Sequence, residues 1–247
     1  ANFNELYLLM APTAEQQEPV EPLRLTDIIK PGMLEAAAGK KETSEEAPER
    51  FNTVINFPNF LLHVLRVTTG KDIPLDDKRL ISAFEEHLFG KNDADQQVKG
   101  FIFALLKCKF LFDRYIIKRE FTGNTDAWSL KRLKWQESNR SNDYVNTFGL
   151  ESEESADNRR VLMLLSALHV STPTMVYKHW LSAALSYLYQ AEQVYLPGYL
   201  NHLEAVTRCF VYDRFLSASE DADYYDMIFV RKGQLKALSW ADIDEQR

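Results

Sequence analysis

One segment constrains this chain more than any other: Val98 to Phe121, VKGFIFALLKCKFLFDRYIIKREF. It is apolar over roughly six helical turns. At 3.6 residues per turn, Val98, Phe101, Ala104, Leu105, Cys108, Leu111, Phe112, Tyr115 and Ile116 share one broad face. Ile102, Phe103, Leu106, Phe110 and Ile117 lie on the far side. A helix apolar on two faces belongs inside an assembly of other helices, so the segment predicts a central, buried helix near residues 96–120. Only a narrow stripe should stay wet, and Lys107, Arg114 and Lys118 line it at spacings of seven and four.

Charge concentrates in the same region. From Lys99 to Arg140 there are ten Lys and Arg against Asp113, Glu120, Asp126 and Glu137, an excess of +6 in a chain whose total is −7. The acidic total excludes a surface that is basic all over, so any nucleic-acid contact must be local. Lys107, Arg114, Lys118, Arg119, Lys131, Arg132 and Lys134, interleaved with Tyr115, Phe121, Trp128 and Trp135, have the composition of a phosphate-tracking surface with stacking side chains. A solvated helix face backed by core aromatics gives the same string. These seven residues are the candidate nucleic-acid contacts.

The rest of the chain reads as helices and connectors. Residues 1–50 comprise a short helix over Phe3–Met10 and a connector rich in Pro and Glu, and 51–247 a helical domain that could subdivide near 138–150. Pro58 opens a helix that Gly70 closes. Asp76 to Phe89 predicts a second helix with Leu80, Ile81, Phe84 and Leu88 inward. Trp128–Trp135 fits a strand, a helical turn or a braced loop, and Ser138–Thr147 is polar and turn-like. Glu151–Val170 and Pro173–Gln190 predict an antiparallel helical hairpin, and Tyr199–Leu216 a further amphipathic helix. No stretch shows clear β-alternation, which makes the expected fold all-α, an irregular bundle of about six to eight helices.

Little of the sequence carries chemistry. The five histidines include no i, i+4 pair, Cys108 and Cys209 are the only cysteines, and Gly-rich phosphate loops and the Gly-x-Ser-x-Gly elbow are absent. No catalytic, cofactor or metal residue is expected. Without an apolar run of about 20 residues there is no candidate membrane span, and the expected location is the cytoplasm.

Three segments carry a resemblance. Asn56–Val67 (NFPNFLLHVLRV), Leu105–Glu120 (LLKCKFLFDRYIIKRE, with Trp128–Lys131 after it) and Val161–Tyr189 (VLMLLSALHVSTPTMVYKHWLSAALSYLY) resemble the helical region of the GmrSD-like bacterial family. Its members open with a ParB/sulfiredoxin-like nuclease domain and often close with an HNH endonuclease domain. The Asp-Gly-Gln-Gln-Arg motif of the first domain is absent, since Asp95-Gln96-Gln97-Val98 lacks both the Gly and the Arg, and so is the His-Asn-His cluster of the last. The resemblance therefore implies a non-catalytic helical scaffold from a restriction or phage-defence protein. Its partner would be an N-terminal nuclease domain of the same polypeptide, with DNA contacted through the basic stripe. The rival expectation is an interaction or structural module with no nucleic-acid role. Oligomeric state has no signature in the sequence.

Overall fold

The computed structural model describes residues 50–89, 94–123, 125–136, 140–150, 155–217 and 223–235. The expected helix at 3–10 and its connector lie outside them. The fold is mixed α/β rather than all-α, because two small antiparallel sheets interrupt the helices. The first orders β1 (Phe51–Thr53), β2 (Lys118–Thr122) and β3 (Thr125–Ser129), and the second pairs β4 (Lys131–Gln136) with β5 (Ser141–Asn146).

Helix α1, Phe57–Thr69, starts and stops where its residues dictate. The Asn56 side chain accepts from the Asn59 N–H at 2.9 Å, Pro58 occupies the first turn, and Gly70 at φ +62° donates its N–H to the Arg66 carbonyl. The predicted helix from Asp76 is broken into three. A 3-10 turn at Asp77–Arg79, capped by Asp76, leads into α2 at Leu80–Phe84, which widens into a π-helical turn at Glu85–Phe89.

The central helix α3 runs Ala94–Tyr115 and ends sooner than its apolar run suggests. Ile116 and Ile117, β-branched and fully buried, carry the chain into β2. Thr122 then pairs with Thr125, so the reversal is two residues wide, with Gly123 at φ +58°. Lys118 is consequently a strand residue, and the predicted stripe of Lys107, Arg114 and Lys118 along one helix does not exist.

Helix α4 spans Ala156–Ser171, with Ser155 accepting from the Asn158 N–H as its cap. Pro173 opens no helix. A 3-10 turn at Met175–Tyr177 ends on Lys178, at φ −77° and ψ 43°, and α5 begins only at His179 and runs to Gln190. Turning the chain there sends the Lys178 ammonium inward to the Thr172 carbonyl and His169. Helix α6, Leu196–Val211, is amphipathic as expected, burying Leu200, Leu203, Val206 and Phe210, and closes with a π-helical turn at Tyr212–Leu216. Helices α1, α3 and α5 pack pairwise on one another, α6 packs on α5, and α4 packs closely on α6 rather than forming the expected hairpin with α5. Their shared core includes Leu62, Leu65, Cys108, Ile116, Val161, Leu165, Leu185 and Tyr199.

The second sheet was hidden by inverted polarity. In β4, Leu133 and Trp135 alternate with Arg132 and Lys134, yet the apolar pair faces outward at 53% and 55% exposure while the basic pair is half-buried. Tyr144, opposite Leu133 in β5, shares that outer face.

Candidate functional site

The seven predicted nucleic-acid contacts separate into three environments. Lys107 donates to the Tyr189 carbonyl at 2.7 Å at the end of α5, with its ammonium 4.4 Å from the centre of the Tyr189 ring. Arg114 lies over Phe110 and Tyr115, with its Nε buried. Their partners are a carbonyl and aromatic rings rather than carboxylates.

Lys118 and Lys131 belong to a second group organised by Glu120. That carboxylate is almost fully buried on β2, and it accepts from Arg50 at 2.6 Å and sits 2.8 Å from the Lys131 ammonium. Burial alone would raise its pKa, but hydrogen bonds from Lys131 and Arg50 outweigh that and hold the carboxyl below its usual range. Lys118, buried beside Phe51 and Tyr144, donates to the Lys131 carbonyl at 3.2 Å, and burial lowers its pKa. Arg119 pairs with Asp126 at 2.7 Å and stacks over Trp128. Arg132 and Lys134 form the third group, half-buried on β4 opposite Val145 and Asp143. Lys107, Lys118, Arg119 and Lys131 are each bonded within the fold.

A second polar cluster, two histidines and an arginine, is buried in the seam between α1 and α5. His63 Nδ1 lies 2.7 Å from the Ser182 hydroxyl, and one turn further on Arg66 donates to His179 Nδ1 at 2.8 Å and to Asp72 at 2.8 Å. Phe229, from a C-terminal π-helical turn at Asp226–Val230, covers the Arg66 guanidinium, and Tyr224 stacks on His179. Burial and then the Arg66 charge push His179 down to about 3, while burial, Lys178 and Arg119 push His169 down to about 4. Local sequence patterns carry no signal for this seam, since His63 and Arg66 lie more than a hundred positions from their partners Ser182 and His179.

A cleft of about 750 Å³ lies among the end of α1, the π-helical turn at Glu85–Phe89 and the first half of α3. Lys71, His87, Gln97, Phe101 and Tyr189 contribute to its walls. Its size suits a small molecule. The Thr68 and Thr69 hydroxyls that also line it donate back to carbonyls of their own helix, and Glu86 sits 3.7 Å from His87. Among the described residues no group of three or more His, Cys, Asp or Glu could hold a metal. No described helix is long and apolar enough to cross a membrane.

The surface that stands out is one that helical periodicity assigns to the interior. Ile102, Leu106 and Phe110, spaced by four on α3, are 45%, 45% and 39% exposed. Lys99, Lys109 and Asp113 share that edge by helical period, and Lys109 pairs with Asp113 one turn away. The wet side of α3 is therefore this mixed apolar and charged line, rotated away from Lys107 and Arg114. Comparison with family models, with curated proteins and with solved structures finds no match to this chain.

Proposed function

We propose that residues 50–235 form a non-catalytic scaffold and interaction module of a bacterial cytoplasmic protein, and that its basic residues serve its own fold rather than DNA. The observation that carries this reading is the exposed line Ile102, Leu106, Phe110 on the helix around which the core is built. Apolar side chains that stay partly exposed together along one edge of a rigid element mark contact surfaces. The internal bonding of Lys107, Lys118, Arg119 and Lys131 supports the second half of the proposal. The GmrSD-like resemblance fits a scaffold as well, because its three segments supply α1, the second half of α3 with β2, and the α4–α5 region, all of which furnish core residues. On that reading a nuclease domain of the same polypeptide is one partner, and the exposed edge of α3 is open to another.

A mobility-shift titration against duplex and single-stranded DNA from about 20 to 200 mM salt tests the proposal. The module reading expects no salt-dependent complex. A complex that weakens steeply with salt, and weakens again in a Lys107→Met, Lys134→Met double variant, would overturn it.

A further inference from the structure

We propose that the outer edge of α3 is the contact with a second copy of this chain, the two helices running antiparallel about a twofold axis at Leu106. This rests on the interaction-module reading and names the partner.

The edge is complementary to itself. In an antiparallel pair centred on Leu106, each residue meets the one equally far on the other side of the axis. Leu106 meets its own copy, Ile102 meets Phe110 of the second copy, and Lys99 meets Asp113 of the second copy. Apolar groups thus face apolar groups in the middle, and opposite charges face each other at both ends. The twofold makes every off-axis contact twice. Lys99 is exposed and makes no ion pair among the described residues, while Asp113, 46% exposed, engages Lys109 through Oδ2. A parallel pair would instead set Lys99 against Lys99 and Asp113 against Asp113. Antiparallel packing also opposes the two helix dipoles favourably. From 99 to 113 the edge spans about 21 Å, four turns of helix. One helix pair of that length is a small interface, so the association is weak, with a dissociation constant of about 10–100 µM.

Sedimentation equilibrium on the full chain, from about 5 to 500 µM, reads the association directly, with circular dichroism melts confirming that each variant is folded. A monomer–dimer equilibrium is expected. Leu106→Asp sets two carboxylates together on the axis at an exposed position and should abolish the dimer. Lys99→Asp or Asp113→Lys alone opposes like charges twice and should raise the dissociation constant roughly tenfold. The double swap Lys99→Asp, Asp113→Lys should recover the wild-type value, because only antiparallel pairing brings these two positions together. A chain monomeric at about 500 µM, a Leu106→Asp protein that still dimerises, or a double swap as weak as either single change would overturn the proposal. A monomer that also ignores DNA overturns the pairing alone, whereas salt-dependent DNA binding strikes the module reading itself.

Discussion

Arg66 donates from Nη1 to His179 Nδ1 at 2.8 Å, and that bond sets both the tautomer and the charge of the histidine. An arginine has no lone pair to give, so Nδ1 must accept and the ring's proton must sit on Nε2. Arg66 is itself buried, and Asp72, its acidic partner, is 68% exposed. Replacing Arg66 by Ala would leave His179 Nδ1 without its donor and a void beneath Phe229. Urea denaturation should show a loss of about 2–4 kcal/mol.

Acid should weaken the fold through the same histidines. The unfolded chain protonates them near pH 6.5, while the folded chain holds His169 near 4 and His179 near 3. The unfolded state therefore binds more protons below about pH 6.5, and stability should be level above that pH and fall steadily as pH drops toward 3. His179→Gln keeps an acceptor for Arg66 without a titrating ring, so it should flatten part of this slope. Urea midpoints at pH 7, 6, 5 and 4 would show it, and identical slopes in both proteins would refute the assignment.

Glu120 is the one carboxylate between Arg50 and Lys131, on the strand that also buries Lys118. Glu120→Gln keeps the shape and removes the charge, leaving a buried amide between Arg50 and Lys131 and no carboxylate beside the buried Lys118. A loss of about 3 kcal/mol is expected, larger than for Asp126→Asn at the exposed Arg119 pair, where about 0.5 kcal/mol is expected. Equal losses in denaturant would contradict the central place given to Glu120.

Two glycines should respond oppositely to alanine. At Gly149, with φ +70°, a Cβ would stand 1.9 Å from Ser155 Oγ, the side chain that caps α4. Gly149→Ala should cost about 1–3 kcal/mol. Gly100 lies inside α3, and a Cβ there would meet open space, with no neighbouring atom within 4 Å. Gly100→Ala should therefore raise stability by about 0.5–1 kcal/mol. Thermal melts of the two variants, run together, give the contrast.

The helices were legible in the sequence wherever local signals agree with burial. Asn56, Pro58 and Gly70 mark α1, and the inward line of α6 follows the helical period. The strands were not legible because their amphipathicity runs the wrong way: Lys118 and Glu120 are buried, whereas Leu133 and Trp135 face water. Reading the apolar run as one helix carried α3 to about residue 120, past its end at Tyr115, and so over the start of β2. The same reading buried Ile102, Leu106 and Phe110, since periodicity shows that a helix has two apolar faces without showing whether a neighbour covers both. The α1–α5 seam depends on pairings more than a hundred residues apart, for which a single sequence carries no signal.

The bond between His63 and Ser182 closes a span of 119 residues. During synthesis at about 5–20 residues per second, α1 leaves the ribosome roughly 6–24 seconds before the helix that covers it. Helix α3 can pack on α1 early in that interval, but the side of α1 that carries His63 and Arg66 stays without its native cover until α5 is made.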